Sequence, residues 1–123
     1  MAGQRMRRVD EAVREVLSDA LGHRDLKDPR IGFVTVTDVK TSADLRHARV
    51  YVSVLGSEEE REQTLAGLRS AHGVLQRRVA TELRLKRTPT LEFAYDDTVD
   101  RAMRLERLLG DAEQAGSGSE EEA

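Results

Sequence analysis

One segment, residues 65–93, limits the possible folds of this chain more than any other. Its apolar residues recur at steps of three and four, the spacing that places them on one face of an α-helix. The series continues past Gly73 in the same phase, which predicts two helices separated by a break at residues 70–73. Pro89 ends the second helix, and the alternating residues from Thr90 onwards predict a strand. The apolar series is Leu65, Leu68, Ala71, Leu75, Val79 and Leu83.

Positive charge is concentrated in the same segment. Between Arg69 and Arg87 there are six basic residues and one acidic residue, a local charge of +5 in a chain whose formal net charge is −3. A positive segment around a glycine break is typical of a surface that binds phosphate groups. The alternative is a packing glycine followed by the solvated outer face of an amphipathic helix. Considered alone, the segment supports these two interpretations about equally.

The composition excludes several classes of protein. A chain of 123 residues is long enough for one two-layer domain but not for two domains. The absence of cysteine excludes disulfides and thiolate metal sites. Two Phe, two Tyr and no Trp are few for a protein that stacks single-stranded bases on aromatic side chains. The sequence contains no signal peptide and no apolar span of membrane length, which predicts a cytoplasmic location.

The acidic excess of the chain lies after Gly110. That part contains five acidic residues and no basic residue, so residues 1–110 carry 20 basic and 18 acidic residues. Small polar residues dominate it, and such a composition cannot bury enough apolar surface to fold. We therefore predict one domain over residues 1–110 and an acidic disordered tail over residues 111–123.

Periodicity also predicts the elements outside the central segment. Residues 4–21 form a helix with an apolar stripe. Residues 32–39 and 45–55 are rich in β-branched residues and joined by a short turn, which predicts an antiparallel hairpin. Ser57 and Glu60 form a capping box that begins the next helix.

Alternation and capping complete this prediction. In the second strand Ala48, Val50, Val52 and Val54 are predicted to point inward. In the first strand Phe33, Thr35, Thr37 and Val39 are predicted to share one face. A last helix begins at Asp97 or Thr98 and ends at Gly110. Its apolar stripe is Val99, Ala102, Leu105, Leu108 and Leu109.

The predicted order of elements is helix, strand, strand, helix, helix, strand, helix. Three strands with helices on one face make a two-layer α+β domain with a three-stranded sheet. The first six elements have the order of the bacterial-type (type II) KH domain, which binds single-stranded nucleic acid. The usual KH domain has a GxxG loop between its central helices, whereas Ala71-His72-Gly73 contains one glycine.

A series of short motifs occurs in a fixed order along the chain. They are Arg8-Val9, Asp28-Pro29-Arg30, Val34-Thr35-Val36-Thr37, Asp44-Leu45, Ala48-Arg49-Val50-Tyr51-Val52-Ser53, Ala71-His72-Gly73 and Pro89-Thr90-Leu91-Glu92-Phe93. Over about residues 4–109 the chain resembles the ribosome-binding factor A family, bacterial small-subunit assembly factors with a KH-like fold. That family has an Ala-x-Gly kink in place of the GxxG loop, which matches Ala71 and Gly73. An arginine that is familiar shortly after the glycine is not matched, because Gln76 stands there.

The resemblance implies a function. The protein would bind the free or immature 30S small ribosomal subunit through 16S rRNA, and support its late maturation, including processing of the 16S rRNA 5′ end. It would matter most in the cold and act as a monomer without catalysis, cofactor or metal. Ribosomal proteins or an assembly GTPase remain open as further partners. The alternatives are a general KH-like RNA-binding module and a protein-docking module without ribosome specificity.

No catalytic residue is predicted. The chain has three histidines, and it lacks the metalloprotease, Walker and nucleophile-elbow motifs. We predict instead that the kink and the basic second helix contact phosphates, and that sheet residues such as Tyr51 extend the surface. Few aromatic residues and a single glycine favour binding to folded rRNA over binding to splayed bases. The predicted RNA-binding residues are Arg5, Arg7, Arg8, Arg30, Arg46, Arg49, Arg69, Ala71, His72, Gly73, Arg77, Arg78, Arg84, Lys86 and Arg87.

Overall fold

The computed structural model describes the backbone of residues 2–22 and 28–122, and the side chains of residues 6–22 and 28–113. Its seven elements have the predicted order, so the predicted α+β architecture is confirmed. The side chain of Arg5, one of the predicted RNA-binding residues, lies outside the described residues. The elements are α1 (Ala2–Gly22), β1 (Val34–Thr41), β2 (His47–Val54), α2 (Glu58–Ser70), α3 (His72–Leu83), β3 (Thr90–Tyr95) and α4 (Thr98–Glu122).

The three strands form one sheet in the order β1-β2-β3. β1 and β2 are antiparallel, as the short turn between them predicts, whereas β2 and β3 are parallel. Two parallel strands need a crossover connection, and here α2 and α3 supply it. β2 is therefore the central strand, and Val50 pairs with Val39 on one side and Phe93 on the other.

The helices α1, α2 and α3 cover one face of the sheet and form the core with it. The predicted inward residues of β2 are buried, and so are the members of the helical stripe at Leu65, Leu68, Leu75 and Val79. From α1 the core takes Val13, Val16, Leu17, Ala20 and Leu21. The predicted capping box is present, because the Ser57 hydroxyl accepts from the Glu60 N–H at 3.2 Å and the Glu60 carboxylate accepts from the Ser57 N–H.

β1 does not alternate as predicted, because a β-bulge follows Val36. The hydroxyl of Thr37 donates to Asp96, just after β3, at 2.6 Å. The bulge brings Val36 and Val39 to the same face, and each of them is only 2% exposed. The prediction that Val39 shares a face with Phe33 is therefore wrong, since Phe33 is 66% exposed.

Gly67 allows the segment before β1 to pack closely on α2. A Cβ atom at Gly67 would lie 2.7 Å from Cγ1 of Ile31 and 3.3 Å from Cβ of Arg30. One turn earlier, the buried Thr64 hydroxyl accepts from the Gly32 N–H and donates to the Arg30 carbonyl, both at 3.3 Å. The helix and the segment are thus held together at a distance that excludes a side chain at Gly67.

We expect Gly67→Ala to lower the free energy of unfolding by about 1 kcal/mol. Overpacking against Ile31 costs about 1–3 kcal/mol, and the higher helix propensity of alanine returns about 1 kcal/mol. Urea unfolding measures the difference. Gly73→Ala is the matched control, because a Cβ atom there meets nothing within 4 Å. A Gly67→Ala protein as stable as the Gly73→Ala protein would contradict the packing argument.

α4 is longer than predicted. The helix continues through Gly110 to Glu122, so the predicted end at Gly110 is wrong. A glycine inside a helix costs only about 1 kcal/mol relative to alanine, and Ala, Glu and Gln next to it are good helix formers. The backbone of residues 111–122 is therefore helical here. The division into a domain and an acidic tail at residue 110 stays a prediction.

The apolar stripe of α4 does not join the core. Leu105, Leu108 and Leu109 are each more than half exposed, although their spacing places them on one stripe of the helix. The described contacts of α4 are near its first turn, where Asp100 accepts from the Tyr95 hydroxyl at 2.9 Å and lies 3.4 Å from Arg61. No helix in the described part of the chain is long and apolar enough to span a membrane.

Candidate nucleic-acid interface

The junction of α2 and α3 is a kink at the single residue Ala71. The Ala71 N–H donates to the carbonyl of Gly67 at 2.9 Å, and the Ala71 carbonyl accepts from the N–H of Leu75 at 3.1 Å. Alanine has no side-chain acceptor, so no side chain caps α3, and the first turn of α3 has no acidic residue. The positive end of the α3 dipole is therefore not compensated by a local carboxylate.

Gly73 is exposed in the first turn of α3, with open space around it. A Cβ atom there would meet no other atom within 4 Å, so the fold itself does not require a glycine at this position. A side chain would, however, occupy the space through which an external backbone could approach the helix end. Beside the kink, Arg69, His72, Leu91, Glu92 and Phe93 line a shallow pocket of about 240 Å³.

Gln76 faces the free edge of β3 and not the solvent. Its amide donates to the carbonyl of Pro89 at 2.6 Å and accepts from the N–H of Leu91 at 3.0 Å. These are the hydrogen bonds that a neighbouring strand would make. Arg69 adds a contact of 3.4 Å to the carbonyl of Phe93. The side chain of Gln76 is thus occupied within the domain and is not available to an external phosphate.

Sequence reasoning missed this role of Gln76. Its partners are 13 and 15 residues away in the sequence and belong to a different element. A polar residue next to the apolar stripe of a helix is usually solvated, so the pattern of residues alone contains no signal for the contact.

Four cations follow the kink. Gly73 and Arg77 are four residues apart and so share one side of α3, and Arg84 directly follows the last residue of the helix. Lys86 and Arg87 follow in the loop, and all four cations are exposed. Among the side chains that the structure describes, none of these four has an ion-pair partner. We call this set the α3 surface: His72, Gly73, Arg77, Arg84, Lys86 and Arg87.

Two other predicted RNA-binding arginines are engaged with carboxylates. Arg78 lies 3.0 Å from Glu82 and 3.4 Å from Asp19, so it connects α3 to α1. Arg30 lies 2.6 Å from Asp28, and its hydrogen bonds lower the pKa of that carboxyl to about 2. A phosphate group would have to compete with these carboxylates for either arginine.

The remaining predicted residues lie on two further parts of the domain. Arg7 and Arg8 are exposed on α1, which packs beside α3. Arg49 is exposed on the face of the sheet opposite the helices, where Lys40 lies over the ring of Tyr51 at 5.9 Å. Arg46 is in the β1–β2 turn. The structure therefore does not bring Arg49 onto the same face as the α3 surface.

Arg84 provides a test that separates stability from binding. It ends α3 in the left-handed conformation, with φ 48° and ψ 42°, and its N–H donates to the carbonyl of Ala80 at 3.2 Å. Glycine adopts this conformation without steric cost, so Arg84→Gly is expected to raise the free energy of unfolding by about 1 kcal/mol. Thermal unfolding measures the gain. Binding of RNA by the same variant should weaken if Arg84 contacts phosphate. Unchanged affinity would show that Arg84 is not part of the RNA-binding surface.

Together, the fold and the kink define a class: an α+β domain of KH-like topology in which a one-residue kink replaces the loop between the central helices. A family model described as Ribosome-binding factor A matches residues 5–109. A protein of that name from Halothermothrix orenii is 41% identical over 99% of this chain and 99% of its own length. The chain belongs to the ribosome-binding factor A family.

Solved structures agree with this assignment. The crystal structure of ribosome-binding factor A from Thermus thermophilus has a TM-score of 0.63 and 29% identity, over 73% of this chain and 94% of that one. A homology model of the Thermus thermophilus factor, fitted into the cryo-EM map of a 30S complex, has a TM-score of 0.53 and 32% identity. It covers 69% of this chain and 92% of its own.

Proposed function

We propose that this protein binds the immature 30S subunit through 16S rRNA and supports its late maturation, including processing of the 16S rRNA 5′ end. One observation carries the proposal: the α3 surface, where exposed cations without ion-pair partners among the described side chains follow an uncapped helix end. The placement of a Thermus thermophilus relative in a map of a 30S complex supports the choice of partner. The protein would act in the cytoplasm, as a monomer and without catalysis.

The mechanism is recognition of rRNA shape through its phosphates. The dipole of α3 and the N–H groups near Gly73 favour one phosphate at the kink. Arg77, on the same side of the helix as Gly73, and Arg84, at its end, would contact phosphates further along the backbone. The edge of β3 is occupied by Gln76 and Arg69, which leaves little room for bases to pair with that edge. Phosphate contacts position a protein on folded RNA without reading sequence.

A sedimentation assay tests the partner. The full chain is mixed with free small subunits, assembled ribosomes or unrelated structured RNA, and co-migration is measured over a salt series. Selective co-migration with free small subunits that weakens with salt is the expected result. Equal binding to all three would reduce the function to general RNA binding, and no binding at low salt would contradict an RNA surface.

Depletion of the protein from its host tests the role in maturation. The expected result is accumulation of 16S rRNA with an extended 5′ end, more strongly at low temperature. Complementation by Gly73→Glu, which places a negative side chain at the kink, should fail while the protein remains folded. Normal 5′ ends after depletion would contradict the part of the proposal that concerns processing.

The exposed stripe of α4 favours a protein partner as a second candidate function. Leu105, Leu108 and Leu109 form an apolar surface that α1–α3 and the sheet do not cover. If Leu105→Ser with Leu109→Ser abolished capture of ribosomal proteins while RNA binding persisted, this helix would be a docking element. Unchanged capture would exclude the stripe from such a role.

A further inference from the structure

A second cavity lies at the end of α3 that is distant from the kink. It has a volume of about 470 Å³, and it is formed where α1, the β1–β2 turn and the α3–β3 loop meet. Four apolar side chains provide its floor, and the buried Pro89 is one of them. A pocket of this size is in the range that accommodates small organic ligands. Its lining residues are Val9, Asp44, Leu45, Leu85, Lys86, Arg87 and Pro89.

The rim of this cleft has two exposed cations, Lys86 and Arg87, and one carboxylate, Asp44. Lys86 and Arg87 are exposed and have no ion-pair partner within the part of the chain whose side chains are described. Asp44 accepts from the Ser42 hydroxyl at 2.6 Å and from the Arg46 N–H at 3.0 Å, both through Oδ1. These hydrogen bonds lower the pKa of Asp44, and the bond from the Ser42 hydroxyl is the larger cause. Asp44 is therefore an ionised acceptor. Its Oδ2 lies 4.0 Å from Nε of Arg46, an exposed ion pair that is longer than a hydrogen bond, so a donor from a ligand would compete only with this weak contact.

The backbone around the cleft is held in unusual conformations. Leu45 has φ 60° and Arg84, which precedes the lining residue Leu85, has φ 48°. They are the non-glycine residues with positive φ in the described part of the chain. Such conformations cost about 1–3 kcal/mol each and concentrate at ligand-binding sites. Arg84 adopts this conformation where α3 ends, and Leu45 adopts it in the β1–β2 turn, where its N–H donates to the carbonyl of Ser42 at 2.9 Å, so both walls of the cleft have a defined backbone conformation.

We infer that this cleft binds one unstacked nucleotide of RNA, with the base on the apolar floor and its phosphate at Lys86 and Arg87. The floor of Val9, Leu45 and Leu85 takes the apolar faces of the base. Oδ2 of Asp44 accepts from an amino group of the base, which guanine, adenine and cytosine have and uracil lacks. The occupant is a bulged or terminal nucleotide of otherwise folded RNA, so the cleft would add a base-specific contact to the phosphate contacts of the α3 surface.

This inference rests on the proposed RNA-binding function, and a titration of the full chain tests it separately. Methyl resonances of Val9, Leu45 and Leu85 are followed by NMR during additions of GMP, UMP, inorganic phosphate and a single-stranded RNA trinucleotide that contains guanine. The expected result is saturable shifts of these methyls with GMP and with the trinucleotide. We expect about fivefold weaker binding of UMP, because one hydrogen bond from the amino group is lost.

Paired variants provide the controls. Arg87→Ala and Leu85→Ser should each weaken GMP binding about tenfold or more, as expected for one charge-assisted or apolar contact. Their matched controls are Arg104→Ala and Leu105→Ser on the exposed part of α4, which should bind GMP like the unaltered chain. Unfolding curves of all four proteins establish that they remain folded. Equal loss in the variants and their controls would overturn the inference.

Several results would contradict binding of an RNA nucleotide in the cleft and leave the proposed function unaffected. Equal affinity for inorganic phosphate and GMP would show that the cleft binds an anion and does not recognise the base. Shifts with GMP but not with the trinucleotide would indicate a site for free nucleotides. Methyl shifts restricted to Ala71 and Val74, beside Gly73, would place the nucleotide at the kink. In each case binding to small subunits could still be normal, whereas a protein that bound the trinucleotide in the cleft but no subunit would contradict the proposed function alone.

Discussion

Gln76→Ala is expected to lower the free energy of unfolding by about 2 kcal/mol, although Gln76 is outside the apolar stripe. The substitution removes two hydrogen bonds, to the carbonyl of Pro89 and from the N–H of Leu91. Each net contribution is about 1 kcal/mol, and Pro89 and Leu91 are buried, so their unpaired backbone groups add to the loss. Urea unfolding of the full chain measures the change. Arg77→Ala, at the adjacent exposed position, is the matched control and should leave stability nearly unchanged.

A second substitution, Gln76→Glu, tests the geometry of the contact with the Pro89 carbonyl. The glutamate keeps an acceptor for the Leu91 N–H but places a second oxygen against the Pro89 carbonyl, where the amide now donates at 2.6 Å. Repulsion there should raise the pKa of the new carboxyl above its usual value of about 4.3. The folded state then binds the proton more readily than the unfolded state, so the loss of stability should shrink as the pH falls from 7 to about 4. A loss that is independent of pH would contradict this contact geometry.

Arg77→Ala combined with Arg84→Ala is expected to weaken binding to free small subunits by about 100-fold at low salt. Two charge-assisted contacts to phosphate, at about 1.5 kcal/mol each, account for this loss. The slope of log affinity against log salt should fall by about two, because two fewer counterions are released. Arg78 is not included, since its contacts with Asp19 and Glu82 connect α3 to α1. Sedimentation with small subunits across the salt series measures both quantities.

The matched control removes two arginines elsewhere. Arg104→Ala with Arg107→Ala changes the net charge equally, but both residues are on the exposed part of α4. If the control weakened binding as much as the α3 substitutions, net charge and not the α3 surface would determine affinity. An α3 variant with unchanged affinity and salt slope would exclude this surface from RNA binding.

Local patterns predicted most elements because helices and strands depend on contacts close in sequence. β3 begins at Thr90 as predicted, and the Ser57 capping box begins α2 as expected. Local patterns failed where the conformation depends on contacts between residues far apart in sequence. The bulge at Thr37 is associated with Asp96, 59 residues away, and no alternation of residues within β1 could indicate it.

The candidate site was predictable in part for the same reason. The charge around the break between the two helices can be read along the chain. The engagement of Arg78 with Asp19, the position of Arg49 on the opposite face of the sheet and the contacts of Gln76 cannot. Each of these depends on which elements are neighbours in space.

Sequence patterns were sufficient for the order of the elements, the inward face of β2, the concentration of positive charge and a break between two helices, predicted over residues 70–73 and observed at Ala71 alone. These follow from periodicity and composition, which act over a few residues. The tertiary structure alone decided that Gln76 occupies the β3 edge, that Gly67 must lack a side chain and that the α4 stripe stays exposed. It also decided that Leu45 and Leu85 meet in one cleft. Packing brings together residues that are far apart in sequence, and the free energy of such contacts depends on distances that no local pattern contains.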